Sequence, residues 1–412
     1  MGVSRRGEGE LYCYQHNETL AEQVFARINQ VVGFDLRSFA RHKVLGHARF
    51  DDVHDHCCWA VADDLAHVMR LFRDLQSAGV TDFVSRLQIL PHSGGTYLAS
   101  WLSGVLTFQD MLLLAHQHAH FISENETLLT REEVERWFFS KPASINDDDR
   151  KLLEKACQKM AIGPDLDRDL LIEKFHGKLE LVFSLNANVL DRLIAEVREH
   201  RIEVSLAITM SPNTAIFGGN ELEMSRFRRL FVGKRKIELR RVPLEVKGTP
   251  HYARLNQAAA HSVDLLRLMD RQGRLRDPVV FFPLHTGELV RTREQFIQAV
   301  AEIANQRCSF DRMIERVMAE GGKHFLLVQS GLSATAGDLF DGILRNIANA
   351  KGYGSVEVYP PAVRSAALHP ICKILSRQPP PGEKPASAAN QSLDETIRWY
   401  ERQLAALRTR AQ

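Results

Sequence analysis

With 412 residues, 44% of them hydrophobic and 25% charged, the chain has the composition of a soluble globular protein of two or three structural units. A net charge of +2 gives no sign of a nucleic-acid partner, and no apolar run reaches the roughly 18 residues of a membrane span. The six cysteines (13, 57, 58, 157, 308, 372) have no framework spacing and Met1–Glu8 has no apolar signal-peptide core, so the expected location is a reducing cytoplasm.

From Leu20 to Phe39 the positions Ala21, Val24, Phe25, Ile28, Val31 and Val32 have helical spacing, as do Val61, Leu65, Val68, Met69, Leu71 and Phe72 between Cys58 and Leu75. The apolar run Leu87-Gln88-Ile89-Leu90 then reads as a buried strand, and Thr96 to Leu102 as a helix. Between them stands Pro91-His92-Ser93-Gly94-Gly95, which has the shape of a nucleophile elbow: a serine on a sharp strand-to-helix corner, with small residues letting the backbone pass closely. Pro91 replaces the first glycine of the usual G-x-S-x-G pattern, and an ordinary Ser-Gly-Gly turn would use the same residues. Thr107 caps a further helix through Phe121, and a charged helical stretch follows from Leu129 to Met160, broken at Asp147-Asp148-Asp149.

A different pattern appears from Gly177 to Val246. Strands are expected at Leu179–Phe183, Ile202–Ile208, Thr214–Phe217 and Lys236–Val242, with helices at Asn188–Glu199 and Asn220–Phe231. That β-α-β-β-α-β order is the sequence signature of a ferredoxin-like unit. Beyond it come a helix (Leu255–Met269), a strand (Val279–Phe282), a helix (Arg293–Ala304) and a buried strand (His324–Val328). Pro379-Pro380-Pro381-Gly382 opens a linker, and Ser392-x-x-Glu395 is a capping box for a last helix. Leu393, Ile397, Tyr400, Leu404 and Leu407 form one narrow stripe on that helix, fit either to dock on the parent domain or to meet a partner helix.

In their order these motifs resemble the malonyl-CoA:acyl-carrier-protein transacylase family. His92-Ser93-Gly94-Gly95 is similar to the family's elbow, and Gly104-Val105-Leu106-Thr107-Phe108 to the turn after the elbow helix. Met210 to Gly219 resembles the central strand pair of the small domain, Gly248-Thr249-Pro250-His251 the histidine motif, and Val328-Gln329-Ser330-Gly331 a late strand-and-glycine turn. The resemblance implies an α/β fold: a hydrolase-like parallel-sheet domain interrupted by a ferredoxin-like α+β subdomain. The expected division is 1–176 and 248–375 for the large domain, with a helical insertion at about 124–176. Residues 177–247 would form the small subdomain, 376–391 a linker and 392–412 the C-terminal helix.

The resemblance also implies roles. Ser93 would be the nucleophile and His251 its base, since a serine hydroxyl attacks poorly until a histidine removes its proton. The oxyanion would be held by the Gly94 N–H and by a donor from Gln15 or His16, in a first loop shorter than the family's and without its glycines. His92, His118 and Pro250 would line the acyl group. His118 stands where malonyl-using members have an arginine, counting from Ser93 without gaps, and a neutral imidazole cannot clamp a carboxylate as guanidinium does. An acyl group other than malonyl is therefore expected.

The basic run Arg226, Arg228, Arg229, Lys234, Arg235, Lys236, Arg240 and Arg241 is either a solvated face or a dock for an acidic carrier protein, with Arg228, Arg229 and Lys234 as its contacts. The cluster Asp51 to Cys58 and the pair His116/His120 lack zinc-site spacing, so no metal is expected. The function expected from all this is a stand-alone acyltransferase of polyketide, fatty-acid or hybrid peptide biosynthesis, working through an acyl-serine. Its substrate would be acyl-CoA or a phosphopantetheine-linked acyl group, with no bound cofactor. Its partner would be an acyl or peptidyl carrier protein, with no nucleic acid and no membrane. A thioester hydrolase that clears carrier proteins, or a degenerate non-catalytic interaction module, would fit the same residues.

Overall fold

Helices form where apolar residues recur every three to four positions, and they stop where the backbone is turned. The computed structural model describes residues 18–33, 53–77, 83–124, 177–231, 238–247, 250–252, 255–326, 334–359 and 392–411, with isolated positions beside them. The first helix, Glu18–Val32, buries Leu20, Ala21, Val24, Phe25 and Ile28. It ends well short of Phe39 because Gly33 turns the chain at a φ of 74° and returns its N–H to the Asn29 carbonyl at 2.8 Å, closing the last turn. Val53–Ser77 begins earlier than its apolar stripe, which buries Val61, Leu65, Val68, Met69 and Phe72. The elbow helix, Gly95–Leu102, is followed by Phe108–Glu124, whose first turn is capped by Thr107 Oγ1 accepting from the Asp110 N–H at 3.2 Å. With Asn256–Arg271 and Arg293–Asn305 these helices enclose one contiguous apolar core.

The strands β1 (Gly177–Ser184), β2 (Ser205–Ser211), β3 (Thr214–Asn220) and β4 (Leu239–Lys247) form an antiparallel sheet in the order β4-β1-β3-β2. Alternation decides its two faces. Val182, Ala215 and Phe217 pack against the helices Ala187–Glu199 and Glu221–Arg229, while Leu179, Leu181, Ile208 and Ile216 pack against the later helices Phe310–Ala319 and Ala334–Lys351. After two short strands, β5 (Phe282–Pro283) and β6 (Leu289–Val290), the strand β7 (Cys308–Ser309) joins the sheet parallel to β2. A last parallel pair joins β8 (His324–Leu326) to β9 (Glu357–Tyr359). The chain is thus α/β, although its parallel pairing among the described residues is limited to these two places.

Several elements differ from expectation. Leu87–Leu90 is not a strand: the chain leaves a short 3-10 turn at Val84–Arg86 in an extended conformation, and the Gln88 amide donates to the Glu320 carbonyl at 3.1 Å. Pro91 has no N–H to offer a ladder. The Val279–Phe282 strand is reduced to β5. The stretch 129–160 lies outside the described residues apart from isolated positions, as does 376–391.

The C-terminal helix, Leu393–Ala411, docks on the parent chain. Its capping box forms, with Ser392 N donating to Glu395 Oε2 at 2.8 Å and Glu395 N to Ser392 Oγ at 3.3 Å. Leu393, Ile397, Tyr400 and Leu404 are buried, and Tyr400 stacks on Phe72 at 4.4 Å between centroids. The Tyr400 hydroxyl donates to the Leu102 carbonyl at 2.6 Å, at the end of the elbow helix. Arg408 donates to the Gly104 carbonyl at 2.9 Å, and Arg27 pairs with Asp394. Tyr400→Ala is expected to lower the unfolding free energy by about 3–5 kcal/mol through the cavity it leaves. Tyr400→Phe, which removes only the donor, is expected to cost about 1 kcal/mol. Urea unfolding of the two variants checks both values, and equal losses would mean that the ring contributes nothing beyond its hydroxyl.

Candidate active site

At the elbow, the backbone turns from the extended run into the helix through Ser93, whose φ is 52°. A non-glycine residue in this region costs about 1–3 kcal/mol, and such strain concentrates at functional sites. The turn is held by the Gly95 N–H to the His92 carbonyl at 2.9 Å and the Thr96 N–H to the Ser93 carbonyl at 3.0 Å. Gly94 is the N-cap of the helix. Ser93 is buried at 1% exposure.

His251 is reached from a different part of the chain. It too has a left-handed backbone, with a φ of 64°, and its N–H donates to the Ile303 carbonyl at 3.0 Å. Ser205 Oγ, at the start of β2, donates to its carbonyl at 3.2 Å. The ring lies between two oxygens: Nε2 is 2.8 Å from Ser93 Oγ, and Nδ1 is 2.9 Å from the Gln306 carbonyl. A carbonyl only accepts, so Nδ1 carries the proton and Nε2 presents its lone pair to the serine hydroxyl. Burial lowers the His251 pKa to about 4, so the ring is neutral near pH 7 and its Nε2 lone pair is free to take a proton. The third position of this chain of hydrogen bonds is taken by a backbone carbonyl and, among the described residues, by no carboxylate.

The surroundings are rich in buried imidazole. His118 is fully buried, with Nδ1 2.9 Å from the Tyr97 hydroxyl. Its pKa is lowered to about 3, by burial first and then by the His251 charge. His285, on the turn between β5 and β6, has its ring 5.2 Å from that of His251, and burial holds its pKa well below the ordinary range. Cys308 on β7 is bonded to the Ser93 backbone, and burial pushes its thiol up to about 12, which removes it as a competing nucleophile.

Of the residues singled out from sequence, Ser93, Gly94, His118, Pro250 and His251 come together here. Pro250 is buried beside His251. His92 instead packs edge-on against Phe310 at 4.6 Å and Phe340 at 6.0 Å, which engages its ring with the second apolar cluster. Gln15, His16 and Lys234 lie outside the described residues. The basic run needs correction at Arg228: its Nε donates at 2.6 Å to Glu180, a buried carboxylate on β1 that Arg241 also reaches at 3.4 Å. Arg228 thus neutralises an interior charge, whereas Arg229 is exposed.

His285, Tyr97 and Gln306 were missed. Tyr97 lies one helical turn after Ser93, a spacing that could have marked it. His285 sits in an irregular turn without periodicity, and Gln306 acts through its backbone, so neither leaves a sequence signal.

No protein-family model matches the chain, and no curated protein matches it in sequence. Solved structures do match it, and the fold is that of the malonyl-CoA–acyl carrier protein transacylases. The transacylase of Clostridium perfringens superimposes with a TM-score of 0.58 at 15% identity, over 91% of this chain and 94% of that one. The acyl-carrier-protein S-malonyltransferase of Bartonella henselae gives 0.61 at 13% identity, over 91% and 96%. A malonyl-transacylase in complex with its type II polyketide synthase acyl-carrier protein gives 0.57 at 16% identity, over 90% and 96%. Among the described residues no helix is long and apolar enough to cross a membrane.

Proposed function

We propose that the chain is a stand-alone acyltransferase that moves an acyl group from a CoA or carrier-protein thioester to a carrier-protein phosphopantetheine through acyl-Ser93. The observation that carries this is the 2.8 Å contact of His251 Nε2 with the hydroxyl of a strained elbow serine. Ser93 Oγ attacks the thioester carbonyl while its proton passes to His251 Nε2. The tetrahedral intermediate collapses, the C–S bond breaks, and the thiolate leaves with that proton. In the second half-reaction His251 takes the proton of the acceptor thiol, whose sulfur attacks the acyl-serine and releases Ser93. The positive charge on the ring in between is shared with the Gln306 carbonyl. The Gly94 N–H, at the positive end of the elbow helix, serves the oxyanion, with Gln15 or His16 as the second donor. The carrier protein would dock at Arg229 and Lys234. One structural neighbour, a transacylase with its acyl-carrier protein, supports such a partner.

The acyl group is not malonyl. Neutral His118 supplies no cation for a second carboxylate, and a desolvated carboxylate without a partner costs about 2–5 kcal/mol. Intact-mass measurement with malonyl, acetyl and aminoacyl donors tests the proposal. Malonyl-CoA is expected to acylate Ser93 on the order of a hundredfold more slowly than uncharged donors. His118→Arg is expected to recover part of the malonyl loading. Malonyl loading faster than acetyl in the wild type would overturn the substrate assignment. Free acid released in place of acyl-carrier protein would make the protein a hydrolase.

A further inference from the structure

Three imidazole nitrogens beside the Ser93–His251 pair have no hydrogen-bond partner among the described residues: His118 Nε2, His285 Nδ1 and His285 Nε2. Both side chains are essentially closed to solvent, at 0% and 1% exposure. Buried polar atoms in native proteins are almost always bonded, so unpartnered ones at a reacting centre mark the place of a ligand. The positions are fixed rather than adaptable. His118 is held by the Tyr97 hydroxyl at 2.9 Å, from the elbow helix itself. His285 stands on a tight turn, pinned by the Ser309 N–H to its carbonyl at 2.8 Å and by Gly287 at a φ of 90°. A Cβ at Gly287 would meet Arg312 at 3.0 Å, so the turn has little room to shift.

The chemistry of the two rings defines what they would bind. The Tyr97 hydroxyl and His118 Nδ1 share one hydrogen bond, which leaves His118 Nε2 as a donor or an acceptor according to the tautomer. Neutral His285 offers one donor and one acceptor, whichever tautomer it holds. Burial and the proximity of His251 keep both rings uncharged. The two rings therefore present uncharged hydrogen-bonding nitrogens, at least one a donor and one an acceptor, which suit an uncharged oxygen and would be left unsatisfied by a plain alkyl chain. The 5.2 Å between the His285 and His251 rings puts this group close to the reacting carbonyl.

Resting on the acyl-Ser93 reading above, we infer that His118 and His285 are substrate-recognition residues selecting acyl groups with a hydroxyl or keto oxygen on the second or third carbon. Purified full-length protein is incubated with 2-hydroxybutyryl-, 3-hydroxybutyryl-, acetoacetyl- and butyryl-CoA, and the rate of acyl-Ser93 formation is read by intact mass. At least one oxygenated donor is expected to load tenfold or more faster than butyryl, because a site built to bond an oxygen discriminates against its absence. His285→Phe is expected to collapse that ratio towards one, and His285→Asn, which keeps a donor and an acceptor, to retain part of it. His118→Phe tests the other ring, should the first variant not fold. Equal rates for all four donors, or a ratio unmoved by these substitutions, would mean that water alone satisfies the nitrogens and would overturn the inference while leaving acyl-Ser93 intact. No adduct with any donor would remove the acyltransferase reading and the inference with it.

Discussion

Ser93→Ala is expected to abolish the acyl-enzyme mass increment, and His251→Ala to slow its formation on the order of 10⁴-fold, as in other serine–histidine sites. The two losses have different origins. The first removes the attacking oxygen. The second leaves a hydroxyl whose pKa is far from neutrality, with no base 2.8 Å away to take its proton. Cys308 cannot stand in, since burial keeps its thiol protonated. Peptide mapping after incubation with an acyl-CoA donor checks the assignment: an acyl mass on another residue of the Ser93→Ala protein would show that the nucleophile lies elsewhere.

Acid is expected to unfold this protein at an unusually high pH. His67, His118 and His251 are pushed from an ordinary 6.5 to about 4, 3 and 4, chiefly by burial. His92 and His285 are shifted in the same direction by the same cause. A histidine with a depressed folded pKa binds its proton more tightly when unfolded. Its contribution is therefore complete above pH 6.5 and is lost as pH falls towards the folded value. At pH 5 each of the three loses on the order of 2 kcal/mol, together comparable to the ~5–15 kcal/mol net stability of a typical protein. Glu223, Glu302 and Asp311, raised by burial, act in the opposite sense but are fewer. Urea midpoints measured from pH 7.5 to 5 should fall steeply. A flat profile would mean that these rings are hydrated or charged in the native state.

The sequence made the elbow and its partner histidine legible because each lies in a local pattern, the Ser-Gly-Gly corner and the Gly-Thr-Pro-His turn. Periodicity likewise located most helices and the four strands from Gly177 to Lys247, with ends displaced by a few residues. What failed depended on distant parts of the chain. Leu87–Leu90 has the apolar character of a strand but lacks a ladder partner among the described residues. Arg228 looked like one more surface cation because Glu180, its partner, lies 48 positions away. His285 became part of the site only through folding, since nothing within its own turn announces a role. The two stripe options for the last helix were decided by Phe72, Leu102 and Gly104, which the helix itself does not encode.

The atom that orients His251 belongs to no side chain. Because the Gln306 carbonyl accepts the Nδ1 proton, a saturation library at codon 306 would score the position as tolerant of every side chain that keeps the backbone path, proline excepted. The contact is nonetheless as exposed to damage as any catalytic residue, through the backbone's path between Asn305 and Cys308. A proline, an insertion or a shortened helix end there would swing the carbonyl away while every named catalytic side chain remained in place. A variant-effect map read by residue identity alone would pass over the one group that sets the tautomer of the base.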